Sequence, residues 1–244
     1  MTKKRKVISS LRILAGHQYN TTKKADVSLE MTTIMSEFIE GTEYLSEIRP
    51  AVSIYGSARI KTKSLFYKLA MKIAEKFSNA GFAVISGGGP GIMEAANKGA
   101  HGSGSPSIGL NIELPHEQKK NQYQDISLRF QHFFTRKITF VKNSDAFIIL
   151  PGGFGTLDEL SEVITLIQTK KFRHVPIILV GSEFWKGLLD WIKHSMLSME
   201  LIADKDLDLI QVIDDPDEIL KAVLNFYETI IEREPSCNEK TFHL

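Results

Sequence analysis

Three short stretches put glycine where an apolar run gives way to a helix, and each carries residues suited to an anion. They read Gly56-Ser57-Ala58-Arg59, Ser86-Gly87-Gly88-Gly89-Pro90-Gly91 and Pro151-Gly152-Gly153-Phe154-Gly155-Thr156. Glycines 87, 88, 89 and 91 let a backbone approach a bulky group without Cβ interference, and the helix that follows offers free N–H groups. A helix N-terminus also carries roughly half a unit of positive charge, so a phosphate is the expected guest. Around these turns stand groups that could act on whatever the phosphate anchors. Glu159 follows Thr156 by three residues, Glu162 lies one helical turn further, and Arg136 and Lys137 open a helix upstream.

Each feature also has a structural explanation. Glycine turns permit tight packing of helix on sheet, and Thr156 with Glu159 has the spacing of a capping box. On this reading Glu162 belongs to the mouth of the site or to a solvated face, and Asp158 points elsewhere. Arg136 and Lys137 oppose the dipole of the helix they begin, which suggests either a task or a surface ion pair. Trp185 and Trp191 are expected to pack a helix rather than to stack bases. Several chemistries are disfavoured. Gly87, Gly89 and Ile92 miss the G-x-G-x-x-G spacing, and the chain contains neither G-x-x-x-x-G-K-[ST] nor G-x-S-x-G. His116-Glu117 lacks the second histidine of a zinc helix, so no metal is expected.

The elements that must hold these residues follow from the apolar pattern. Short runs at 51–55, 82–85, 107–112, 146–150, 176–180 and 209–213 predict strands, with helices near 63–80, 91–101, 135–144, 156–170, 183–198 and 216–232. Continuous Val, Ile and Leu runs alternating with amphipathic stretches predict a Rossmann-like, doubly wound, mostly parallel α/β sheet with helices on both faces. In such sheets ligands lie beyond the carboxyl ends of the strands, where all three turns fall. Asp215 before Pro216 predicts a capped helix start. Residues 113–134, with Pro115 and a polar run, read as a loop leading to a short strand.

Residues 1–49 are expected to form a flexible basic arm followed by a helical extension over Val27–Ile48, broken at Gly41 and ended before Pro50. Residues 50–234 are expected to form the Rossmann-like domain that carries the three turns, and 235–244 a polar tail. The chain has 244 residues, 43% hydrophobic and 24% charged, enough for a full core. Its thirty basic and twenty-nine acidic side chains create no field that would favour nucleic acid or an anionic membrane. No run approaches the roughly 20 apolar residues of a membrane span. A single cysteine, Cys237, excludes an internal disulfide and fits a cytoplasmic protein.

Residues 151–159, Pro-Gly-Gly-Phe-Gly-Thr-Leu-Asp-Glu, meet every fixed position of the P-G-G-x-G-T-x-x-E motif of the Lonely Guy family, the cytokinin riboside 5′-monophosphate phosphoribohydrolases. The run 86–97 is similar to that family's second signature, and Arg136-Lys137 occupies its upstream arginine-lysine position. The resemblance covers residues 50–232, and the N-terminal extension resembles that of longer bacterial members. It implies hydrolysis of the N-glycosidic bond of a nucleoside 5′-monophosphate such as AMP, without a cofactor, in a homodimer or larger homo-oligomer. It further implies Glu159 as the catalytic carboxylate and Arg136 as its orienting partner. Gly56, Ser57, Arg59, Gly87, Gly88, Gly89, Lys137, Gly152, Gly153, Gly155, Thr156 and Glu162 would bind the substrate. Family members have been labelled lysine decarboxylases, but no Schiff-base lysine or pyridinium partner is identifiable. The competing readings are a noncatalytic nucleotide or molybdenum-cofactor carrier, and a DNA-processing protein disfavoured by the near-neutral charge.

Overall fold

The computed structural model describes residues 24–114 and 120–233. The basic arm before Lys24, the polar tail with Cys237, and His116-Glu117 lie outside the described residues. Seven strands form one sheet: β1 (Ala51–Tyr55), β2 (Ala83–Ser86), β3 (Ser107–Ile112), β4 (Ile126–Phe130), β5 (Ala146–Ile149), β6 (Ile177–Leu179) and β7 (Ile210–Val212). Their order is β4-β3-β2-β1-β5-β6-β7, with every neighbouring pair parallel. The strand order reverses between β1 and β5, which pair through Val52 with Ala146 and Tyr55 with Ile149. The uninterrupted burial of β1 and β5 reflects helices on both faces, whereas the outer strands β4 and β7 are only partly covered.

One face is filled by Tyr55, Ile85, Leu110, Phe147 and Ile149. Over it lie α4 (Phe133–Lys142), α5 (Phe154–Gln168) and α6 (Ser182–Trp191), which contribute Phe140, Leu160, Val163, Ile167 and Trp185. The opposite face packs Val52, Ile54, Val84 and Ile148 against α2 (Leu65–Asn79), α3 (Ile92–Ala100) and α7 (Pro216–Arg233). Burying one such aliphatic side chain is worth about 1.5–3 kcal/mol, so the two layers supply the main cohesion. The helix starts follow their capping chemistry. Ser64 accepts from the Phe66 N–H at 3.3 Å, and Asp215 accepts from the N–H groups of Asp217 and Glu218 at 2.8 and 3.1 Å.

The extension forms α1 (Lys24–Leu45), continuous through Gly41 rather than broken there. A Cβ at position 41 would stand 2.9 Å from Thr139 Oγ1, so glycine is used for close approach to α4, not for a kink. The stripe facing the body is Glu37, Gly41 and Leu45, while Val27, Met31, Met35 and Ile39 line an exposed side. That inversion explains the imperfect apolar periodicity of the segment. The predicted helix over 183–198 is α6 followed by a π-helix at Ile192–Leu197. Trp185 is buried and donates to the Val180 carbonyl at 3.1 Å, but Trp191 is exposed and packs no core.

Candidate active site at the switch point of the sheet

The three glycine turns meet at the carboxyl ends of β1, β2 and β5 and are tied to one another. Ser57 N–H donates to the Pro151 carbonyl at 3.1 Å, and Ile92 N–H donates to the Ser57 carbonyl at 3.0 Å. Gly56 gives room for Ile92, whose side chain a Cβ would meet at 2.6 Å. Gly91 adopts φ +70°, and any side chain there would strike the Ser57 carbonyl. The Gly88 turn, at φ +71°, is bound from beneath by polar side chains. Its carbonyl accepts from Asn121 N–H at 2.8 Å and Gln124 Nε2 at 2.8 Å, and its N–H donates to Ser86 Oγ at 3.0 Å. Ser86 in turn donates to Asn97 Oδ1 at 2.6 Å, and Asn97 Nδ2 reaches Ser107 Oγ and the Ile108 carbonyl. Asn97, fully buried, is thus the hub of the second turn.

The third turn is different. Gly153, Phe154 and Gly155 are exposed, and added Cβ atoms at 153 and 155 would meet nothing within 4 Å. Helix α5 begins at Phe154 with Gly153 as its N-cap and no side-chain cap bond. The capping-box reading of Thr156 and Glu159 therefore fails, because both lie inside the helix. Thr156 is buried, its hydroxyl pressed against Gly152. An uncapped helix end facing solvent through glycines is the more accessible of the two anion cradles, since turn two has already committed its Gly88 and Ile92 N–H groups.

Arg136 does not lie on the surface. It is 6% exposed, with Nε donating to the Leu110 carbonyl at 2.7 Å, Nη2 3.5 Å from the Gly87 carbonyl and the guanidinium 5.2 Å from the Phe140 ring centre. Its Nη1 stands 3.8 Å from Glu159 Oε1. A Cβ at Gly87 would collide with the Arg136 guanidinium, so glycine makes the space this arginine occupies. Lys137, the next residue, donates to Asp158 at 2.8 Å and lies 3.7 Å from Glu162. Asp158 therefore joins the charged group rather than pointing elsewhere. Arg59 is exposed at the rim, with its backbone N–H bound to Ser57 Oγ at 3.1 Å.

The cluster is electrostatically loaded. Burial pushes the Glu159 carboxyl up, Arg136 pulls it back, Asp158 and Glu162 oppose that pull, and the balance lies at about 7. Burial also raises Glu162 and lowers Arg136. Tyr55, fully buried beneath, is raised well above its usual range by desolvation and by the nearby Glu159 charge. Tyr55, Asn121 and Gln124 were missed from sequence. Only the polar run in 113–134 hinted at the last two, and Tyr55 reads as an ordinary strand residue.

A doubly wound parallel sheet with glycine turns and a largely buried acid at its switch point defines a Rossmann-like fold. Residues 93–223, just over half of the chain, match the family model described as "Possible lysine decarboxylase". This chain belongs to that family, the Lonely Guy family. Over 151 residues it is 32% identical to a cytokinin riboside 5′-monophosphate phosphoribohydrolase of Arabidopsis thaliana, covering 60% of this chain and 69% of the relative. Over 137 residues it is 32% identical to a probable enzyme of the same name from Oryza sativa subsp. japonica, covering 53% of this chain and 54% of the relative. The chain thus spans about half the length of that rice protein. The molybdenum cofactor binding protein of Rippkaea orientalis shares the fold at TM-score 0.53 and 21% identity, over 72% of this chain and 95% of the other. The Moco carrier protein of Chlamydomonas reinhardtii does so at TM-score 0.52 and 20% identity, over 74% and 98%.

The decarboxylase description can be tested against the residues. A pyridoxal phosphate enzyme needs a lysine that is neutral enough to form a Schiff base. Desolvation lowers Lys137, but its hydrogen bond to Asp158 and the charges of Glu162, Asp158 and Glu159 outweigh it and hold the ammonium above its ordinary value. Lys137, hydrogen-bonded to Asp158 and beside Glu162, thus does not offer the neutral amine that such a cofactor needs. Among the described residues no helix is long and apolar enough to cross a membrane.

Proposed function

We propose that this protein hydrolyses the N-glycosidic bond of a nucleoside 5′-monophosphate, AMP or a cytokinin riboside monophosphate, to free base and ribose 5-phosphate. The observation that carries the proposal is the largely buried Glu159 carboxylate held 3.8 Å from Arg136, beside the open N-terminus of α5. The 5′-phosphate binds the N–H groups at Gly153, Gly155 and Thr156, with Gly152 shaping the turn and Gly87, Gly88 and Gly89 walling the crevice. Gly56, Ser57 and Arg59 border the ribose and base, and Lys137 with Glu162 closes the charged side. Anchoring the phosphate orients the anomeric carbon toward Glu159.

As the C1′–N bond lengthens, positive charge grows on the ribose and the ionised carboxylate stabilises it. Water adds its oxygen to C1′ as the C1′–N bond breaks, and the water's proton passes by way of Glu159 to the departing base nitrogen, which regenerates the carboxylate. An acid with its balance point at about 7 is suited to that exchange near neutrality. Arg136 favours the ionised form and fixes its direction. The exposed apolar side chains of α1, together with Phe133, Phe134 and Ile138 of α4, support a homo-oligomer. Sedimentation should give at least a dimer, and a monomer at working concentration would remove that part of the proposal.

Purified protein incubated with AMP, other purine and pyrimidine monophosphates and isopentenyladenosine monophosphate should release free base, followed by chromatography. Binding of these nucleotides without any base release would instead mark a noncatalytic carrier.

A further inference from the structure

Helix α4 presents Arg136 in its first turn, yet its own N-cap residue, His132, makes no side-chain cap bond. A carboxylate from another helix braces this start instead. Glu37 of α1 is 6% exposed, and its Oε1 accepts from the Gln131 N–H at 2.7 Å. Its Oε2 accepts from the Thr135 hydroxyl and lies 3.3 Å from His132 Nδ1. A carboxylate buried this deeply is tolerated only when its oxygens are bound, and the first turn of a helix is where negative charge is favoured. The residue after Thr135 is Arg136, whose guanidinium is aimed at the Leu110 carbonyl and at Glu159. The contact between Gly41 and Thr139, one turn along both helices, keeps α1 from sliding on α4.

We infer that Glu37 is a positioning residue for the proposed hydrolase, in which the N-terminal extension fixes the first turn of α4 and through it the meeting of Arg136 with Glu159. The inference rests on the phosphoribohydrolase reading for its kinetic consequence, not for its geometry. If this brace is lost, the turn loosens and Arg136 moves away from Glu159. Glu159 is faced by Arg136 and Lys137 from α4, by Asp158 and Glu162 from its own helix and by Tyr55 from β1. With less of the Arg136 charge, the two neighbouring acids and desolvation dominate, and the carboxyl titrates at higher pH. A contact that served only to tether α1 would change stability and leave that titration where it is.

The test uses the full chain with AMP, comparing wild type, Glu37→Ala, Glu37→Gln and Thr135→Val. Adenine release is measured across pH, melting temperature alongside, and the Glu159 titration is followed by NMR of carboxyl-labelled glutamate, assigned with Glu159→Gln. Glu37→Ala should lower kcat by about 10–100-fold with KM within about threefold, as a small misplacement in a site does. Its Glu159 midpoint should rise by about half a pH unit or more. Glu37→Gln, whose amide oxygen still accepts from Gln131, should recover most of kcat. Thr135→Val removes one donor at similar volume and should shift both readouts in the same direction by less, which keeps the test decisive if the alanine variant does not fold. A midpoint unmoved in the folded variants, whatever the change in melting temperature, would overturn the inference. If wild-type protein releases no adenine, the hydrolase reading fails, while the NMR titration still decides whether Glu37 positions Arg136.

Discussion

Burial lifts the Glu159 carboxyl from its ordinary 4.5 to about 7 against the pull of Arg136, and this has consequences for activity and stability of opposite sign. In the proposed hydrolysis the ionised form acts, so kcat/KM for AMP should rise with pH along an acidic limb centred within about a unit of 7. A limb centred near 4.5 would show that the acid is not desolvated when it works. For stability, the native state binds more protons than the unfolded chain between the two values. Stability should therefore be fully present below about 4.5 and fall as pH rises through about 7. Glu159→Gln removes this dependence. The variant should lose turnover by about 10²–10⁴-fold while still binding nucleotide. Above neutral pH it should also be the more stable protein, by about 1–3 kcal/mol at 1.36 kcal/mol per unit, less what Arg136 loses with its partner. Denaturant titrations at two pH values, with calorimetry of AMP binding, check both signs.

At the scale of elements, the second turn is held by close fits that are sensitive to single methyl groups. Gly87→Ala forces the Arg136 guanidinium and the Met93 sulfur to move, both being ends of flexible side chains. The fold should survive with a change below about 1 kcal/mol, and kcat should drop by about 10–100-fold as Arg136 leaves Glu159. Gly91→Ala is different, because its obstacle is the Ser57 backbone and its φ is +70°. It should cost about 2–4 kcal/mol and lower the melting temperature. These turns, and the strands before them, were legible because glycine clusters and continuous apolar runs are local signals. The helix–strand alternation was legible for the same reason, whereas Arg136, Lys137 and Glu159 stood out through the family motif, their local spacing being equally that of caps and surface ion pairs. What local sequence could not show was tertiary. Asn97 looks like any polar helix residue until its amide is seen joining Ser86, Ser107 and Ile108. Gly41 reads as a helix break until Thr139 is found against it. Asp158 was misplaced because Lys137, its partner, comes from a different helix.

Across the whole molecule, the end of the sheet opposite the site is closed by one acid. Asp145 binds Arg49 at 3.1 Å, Arg173 at 2.5 Å and the Ala51 N–H at 2.7 Å, and Tyr227 donates to its carbonyl at 2.6 Å. Asp145→Ala should destabilise the protein by about 1–3 kcal/mol, since it leaves the buried Ala51 N–H without its acceptor and takes one partner from each of two part-exposed guanidinium groups, while KM for AMP stays within about twofold. Thermal melts and steady-state kinetics separate those effects. The pairing of β1 with β5 has a different kind of implication. Val52 meets Ala146 across nearly a hundred residues of intervening chain, and Glu159 and the Gly56 turn lie on opposite sides of that seam. Closing so long a loop is entropically late, so the crevice is assembled near the end of folding and a nascent chain lacking β5 has no half-built site to offer. Added nucleotide should then slow unfolding of the finished protein without accelerating its folding.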